Sequence, residues 1–137
     1  MQKLTKKIIF TNGCFDILHR GHLSLFSHCK NLGDILIVGI DSDERVKFLK
    51  GDSRPINNQK DRKYMLESLV FIDEVYIFNS ELELENLIEK FNPDIMIVGA
   101  DYRDKRVVGS QFSKQLRFFD KISGYSTTKI IQSINNR

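Results

Sequence analysis

Apolar residues along this chain come in blocks of two kinds. Ile8-Ile9-Phe10, Asp34 to Ile40, Val75 to Phe78 and Ile95 to Val98 are short and almost continuously apolar. Runs of that length predict strands covered on both faces. Between them, Leu23 to Leu32, Ser42 to Leu49 and Gln59 to Val70 place apolar residues every three or four positions, the helical period. Ser80 and Glu83 form a capping-box pattern. Behind it Leu84, Leu87, Ile88 and Phe91 lie on one helical stripe that Pro93 brings to an end. Leu116 to Phe119 predicts a fifth strand, interrupted by Arg117, and Thr127 to Ile134 a last helix with Thr127, Ile130, Ile131 and Ile134 in line. Gly51 to Asn58, punctuated by Gly51 and Pro55, reads as loop.

Strands that alternate with helices imply right-handed crossovers and a parallel sheet. The expected fold is α/β: a Rossmann-like three-layer α/β/α arrangement on a five-stranded parallel sheet. Residues 1–137 are expected to form a single domain. Ligands of such sheets bind beyond the carboxyl ends of the strands. The polar segments Thr11 to His22, Asp41 to Asp43 and Asp101 to Arg106 follow the first, second and fourth strands, so one rim is expected to carry the site.

Composition narrows the partners. The 137 residues carry a net charge of +3, with basic residues scattered rather than clustered. No basic helix or aromatic-basic platform argues for nucleic acid. Lys6, Lys7, Lys50, Arg62, Arg103, Lys105 and Arg106 could together form a local field for an anionic substrate. No stretch approaches transmembrane length and the N-terminal residues lack a signal-peptide core, so no membrane association is expected. Two cysteines make no disulfide framework, and free thiols suit the cytoplasm.

The chemistry concentrates in Thr11 to His22, T-N-G-C-F-D-I-L-H-R-G-H, where a strand turns into a helix. Such turns hold phosphate groups at helix N-termini. His19 and His22 flank Gly21; imidazoles can donate to phosphate oxygens, and the glycine leaves room for a ligand. Cys14 and Cys29 stand at no zinc-like spacing from them, and no metal ligand is assigned. Further on, Arg62 lies three, four and seven residues before Met65, Leu66 and Leu69 on the inward stripe of its helix. An inward arginine needs an anionic partner, either a carboxylate such as Asp73 or a phosphate.

Taken with its Thr-Asn-Gly turn and Cys-Phe-Asp lead-in, the H-x-G-H motif resembles the signature of the H-x-G-H nucleotidyltransferases, the cytidylyltransferase-like superfamily. Lys50 opens the loop K-G-D-S-R-P-I-N, which resembles the sugar-phosphate adenylyltransferases, in particular those acting on D-glycero-D-manno-heptose 1-phosphate. The resemblance runs from about Ile8 to Ile134 and implies transfer of AMP from ATP to a sugar 1-phosphate, with release of pyrophosphate. Mg²⁺, carried mainly by the triphosphate, is the implied cofactor, and a homodimer the implied assembly.

The resemblance also implies roles. His19, His22, Lys50 and Arg62 would act on the phosphates, and Arg62→Ala would weaken catalysis more than stability. Thr11, Asn12, Gly13, Cys14, Phe15, Arg20 and Gly21 would bind nucleotide, as would Gly99, Asp101 and Tyr102 after the fourth strand and Ser126, Thr127 and Thr128 before the last helix. Asp16, Arg54, Val108 and Gly109 would face the acceptor, although Asp16 could instead fix its loop by accepting backbone hydrogen bonds. Ser126 is by itself also a good helix cap. The heptose enzymes tend to carry lysine and a glycine pair before this aspartate, where this chain has Val98, Gly99 and Ala100. Two alternatives follow: a cytidylyltransferase using CTP and glycerol 3-phosphate or a related polyol phosphate, and a non-catalytic nucleotide-binding module.

Overall fold

The computed structural model describes residues 5–137. The sequence around Met1–Leu4, part of the leader reading, lies outside them. Five strands, β1 (Ile8–Gly13), β2 (Ile35–Asp41), β3 (Glu74–Phe78), β4 (Ile95–Gly99) and β5 (Gln115–Phe119), form one sheet in the order β3-β2-β1-β4-β5. Every neighbouring pair is parallel. The helices are α1 (Arg20–Asn31), α2 (Asp43–Lys50), α3 (Gln59–Glu67), α4 (Glu81–Phe91) and α5 (Thr127–Asn135). The Rossmann-like α/β fold expected from the alternation is the one observed.

The two-residue period of the strands divides the core. Ile9, Leu36, Val38, Ile95 and Ile97 face one way and pack with Phe26 and Cys29 of α1 and Leu66 of α3. Phe10, Ile37, Met96 and Val98 face the other way, against Leu84 and Ile88 of α4. Both faces being covered is why these strands read as continuous apolar runs. Asp94 and Asp73 stitch the strand entrances: Ile8 N–H donates to the Asp94 carboxylate at 2.8 Å and Leu36 N–H to that of Asp73 at 2.8 Å. Asp73 therefore serves a strand and Lys30, not Arg62.

Several boundaries differ from the sequence expectation. α3 ends at Glu67 rather than Val70: Leu69 N–H donates to the carbonyl of Leu66 at 3.1 Å, a tighter turn than the helical bond to Met65, while the Ser68 hydroxyl donates to that of Tyr64. No glycine or proline marks that stop. α1 starts at Arg20, three residues early, with a histidine as its cap. At α4, Ser80 Oγ accepts from Glu83 N–H as a capping box requires, but Glu83 reaches Asn79 N–H at 2.7 Å instead of that of Ser80. α5 forms as expected, yet its stripe is not core: Ile130 and Ile131 are half-buried and Ile134 is exposed. Among the described residues no helix is long and apolar enough to cross a membrane.

Candidate active site

The strand order reverses at β1, with β2 and β3 on one side and β4 and β5 on the other, so the sheet opens a crevice at the carboxyl ends of β1 and its neighbours. A cleft of about 660 Å³ lies there. The β1–α1 turn enters it through Phe15, whose φ of 50° is left-handed and costly for a bulky residue. That conformation sends the Phe15 ring under the motif, edge-on to His22 at 5.4 Å and to Phe26 at 4.9 Å. Strain in the backbone is thus held by burial of the ring.

His19 caps α1. Its Nδ1 accepts from Gly21 N–H at 3.1 Å, while Nδ1 of His22 accepts from His19 N–H at 3.3 Å. The two rings stack with centroids 3.8 Å apart. A Cβ at position 21 would stand 2.9 Å from His19 Cε1, so only glycine lets the ring fold over the helix end. With both Nδ1 atoms accepting, the proton of each neutral ring sits on Nε2, the free donor. Burial, followed by the nearby charges of His19, Lys50 and Lys121, pushes the His22 pKa down to about 4. Burial also lowers that of His19. Both rings are therefore neutral at pH 7, each with one N–H to offer beside the amides of a helix N-terminus.

Around them the expected residues assemble, with exceptions. Thr11, Asn12, Gly13 and Cys14 line the cleft. The Thr11 hydroxyl is used up, donating to Ile97 O at 2.7 Å. Asn12 Oδ1 is buried without a hydrogen-bond partner among the described residues. Burial raises the Cys14 thiol pKa despite Lys50 and Arg62, so it stays protonated. Lys50, exposed at the end of α2, and Arg54 line one side. Gly99, Asp101, Tyr102 and Val108 line another, and Ser126, Thr127 and Thr128 close the cleft at the N-terminus of α5. Ser126 Oγ caps that helix at Lys129 N–H, and the Thr127 hydroxyl donates to Ile17 O at 2.9 Å, tying α5 to the motif loop.

Three assignments need correction, Arg62, Arg20 and Gly109, and for Asp16 the loop-fixing alternative is the one observed. Arg62 does not face the cleft. It is fully buried, donating to the carbonyls of Asn57, Cys14 and Asp41 and to the Asp43 carboxylate at 2.9 Å. The inward direction was legible, but the partners are loop carbonyls and Asp43 rather than phosphate. Asp16 lines the cleft floor, yet its carboxylate is engaged by Ile56 N–H at 2.7 Å, Asn57 N–H at 2.8 Å and Arg54 Nε at 3.3 Å. It fixes the R-P-I-N loop and has little left for an acceptor. Arg20 is exposed and outside the cleft wall, because the first turn of α1 points it away from the face that carries His22. Gly109 sits with φ 82° against α4, where a Cβ would lie 2.4 Å from Ile88 Cδ1. It lets the chain pack on α4 and does not line the cleft.

The structure also adds residues. Lys121 and Tyr125, from the loop before α5, line the cleft. Lys121 Nζ lies 3.9 Å from Asp101 Oδ2, and the Tyr125 ring stacks on His19 at 6.1 Å. Asp41 and Arg45 pair at 2.9 Å on the opposite side. Asp41 was expected on this rim as the polar end of β2, whereas Arg45, Lys121 and Tyr125 belong to no motif that announces them.

A family model described as cytidylyltransferase-like matches residues 10–133. The chain belongs to the cytidylyltransferase-like family. That family of nucleotidyltransferases is the one its H-x-G-H turn resembles. Among its relatives, the bifunctional protein HldE of Campylobacter concisus is 51% identical over 98% of this chain, and that of Helicobacter pylori strain Shi470 is 51% identical over 94%. The chain spans 28% of the length of each of these relatives. A lipopolysaccharide core biosynthesis protein from Thermoplasma volcanium shares the fold with a TM-score of 0.71 at 24% identity, over 87% of this chain and all of that one. A pantoate-beta-alanine ligase from Francisella tularensis does so with a TM-score of 0.57 at 17% identity, over 95% of this chain and 69% of that one.

Proposed function

We propose that this chain transfers AMP from ATP to a sugar 1-phosphate, D-glycero-D-manno-heptose 1-phosphate, and releases pyrophosphate. The observation that carries the proposal is the pair of neutral, stacked imidazoles at the N-terminus of α1, facing a cleft whose far end is the N-terminus of α5. An acceptor phosphate is already an anion and needs no general base. What the site must do is align two polyanions and stabilise charge growing on the α-phosphate and the leaving pyrophosphate.

In this account His19 and His22 donate from Nε2 to phosphate oxygens, and Lys50 and Lys121 bring mobile positive charge. Thr128 and the amides of α5 receive the β- and γ-phosphates, while Gly99, Asp101 and Tyr102 hold the nucleoside. Arg62 and Asp16 act as positioning residues. Among the described residues no three His, Cys, Asp or Glu side chains converge as a metal site. The account therefore leaves Mg²⁺ on the triphosphate, where it would neutralise phosphate charge. The resemblance that supports the acceptor also implies a homodimer, and the two free thiols suit a cytoplasmic location.

The test is pyrophosphate release with Mg²⁺, crossing ATP, CTP, GTP and UTP against heptose 1-phosphate, other sugar 1-phosphates and glycerol 3-phosphate. Release confined to ATP with heptose 1-phosphate is expected. Release with CTP and glycerol 3-phosphate would keep the site and overturn the substrates. ATP binding without release in any combination would make the chain a binding module.

A further inference from the structure

The cleft straddles the edge of the sheet, and its two halves differ in chemistry. On the α1 side stand the imidazoles, Lys121 and the N-terminus of α5. On the α4 side the floor is apolar, made of Phe78, Leu84, Val98 and Val107. Two ion pairs flank that floor, Asp41 with Arg45 at 2.9 Å and Glu81 with Arg106 at 3.4 Å. With its carboxylates and guanidinium groups paired, this half has little net charge to draw a triphosphate. A compound with hydroxyls along one edge and C–H groups on its face suits it well.

Asp41 is the best-placed group there. It is the last residue of β2, and its backbone carbonyl is gripped by Arg62 at 2.8 Å. Its Oδ1 accepts from Arg45 Nε, and the Arg45 guanidinium lies over the Phe78 ring at 5.7 Å. Oδ2 has no hydrogen-bond partner among the described residues, and Asp41 lines the cleft. A carboxylate held at backbone and side chain, with one oxygen left over, is preorganised to accept from a ligand hydroxyl.

We propose that the α4-side half of the cleft seats a polyhydroxylated sugar phosphate, and that Asp41 determines its specificity by accepting from a sugar hydroxyl through Oδ2. This rests on the adenylyl transfer proposed above. Arg45 holds the carboxylate in place and is a positioning residue.

Steady-state kinetics of the full chain test it, varying heptose 1-phosphate at saturating ATP and then the reverse. For Asp41→Asn, which keeps shape and loses charge, KM for the sugar phosphate should rise by at least about tenfold, as loss of a charged hydrogen bond implies. KM for ATP should stay within about twofold, since no uniform binding of nucleotide is removed. Among monodeoxy analogues of the sugar, one should lose a similar factor with the unaltered protein and nothing further with Asp41→Asn. Arg45→Gln, a second variant in case the first folds poorly, should raise the sugar-phosphate KM in the same direction. An unchanged sugar-phosphate KM, or an equal rise for ATP, would overturn the assignment alone. Silence of the unaltered protein with every sugar 1-phosphate would overturn the proposed transfer and this inference with it.

Discussion

On the wall of the cleft built from the ends of β1 and β2, the groups that hold the loops are buried: Arg62 ties together three segments, at Cys14, Asn57 and Asp41–Asp43, and Asp16 grips the R-P-I-N loop. On the wall built from β4, β5 and α5, the ion pairs are exposed. Arg103 meets Asp120 at 3.7 Å and Lys121 meets Asp101 at 3.9 Å, all four side chains at least half exposed, and α5 has no buried residue. Exposed pairs of this kind contribute little, whereas a buried arginine that loses its role leaves unpaired groups behind. The first wall is preorganised by the protein. The second is held loosely, so a bound triphosphate spanning α1 and α5 would do much of its ordering.

The largest effect that would break this contrast is expected at Arg62. Arg62→Ala strands three loop carbonyls and leaves Asp43 without its partner, a loss of about 3–5 kcal/mol in urea unfolding. This reverses the expectation from sequence, which put catalysis ahead of stability. An unchanged unfolding midpoint with lost turnover would restore a phosphate-binding role and make the two walls alike.

A smaller effect concerns the histidines of the preorganised turn. His22 is held at a pKa of about 4, below its unfolded value near 6.5. The unfolded chain therefore binds more protons between those values, and ligand-free stability is complete above pH 6.5 and falls as pH drops towards 4. The slope should reach up to about 1.4 kcal/mol per pH unit, and His22→Gln should flatten it. A pH-independent urea midpoint over that window would mean that the ring is not buried as described.

How much of this was legible beforehand differs between the walls too. The order of strands and helices was readable because β1, β2 and β4 are covered on both faces and α1 to α4 each bury one stripe, while the edge strand β5 is interrupted by exposed Arg117. The H-x-G-H turn was readable because its residues are contiguous. Arg62 could be placed inward by its spacing to Leu66 and Leu69, but the carbonyls of Cys14, Asp41 and Asn57 carry no sequence signature. His19 as a helix cap escaped notice because histidine is not a usual cap residue. Asp41 was readable on the rim as the polar end of β2, but its pairing with Arg45 was not, and only the fold brings Lys121 and Tyr125 to the same cleft.

The smallest effect sharpens the contrast at the loose wall. Ser126→Ala removes the hydroxyl that accepts from Lys129 N–H at 3.0 Å. About 1 kcal/mol of local helix stability should go, visible as faster amide exchange in α5, with little change in global unfolding. KM for ATP should rise as the phosphate seat frays. A large drop in global stability would show that α5 is integral to the core after all.

The central claim is that the neutral imidazole of His22 serves the transition state. It is tested most directly by His22→Ala with ATP and heptose 1-phosphate, measuring pyrophosphate release beside ATP affinity and the unfolding midpoint. Turnover should fall by about 10²–10³, as for loss of one transition-state donor, in a protein that still folds and still binds ATP. Near-normal turnover in that folded variant would contradict the account.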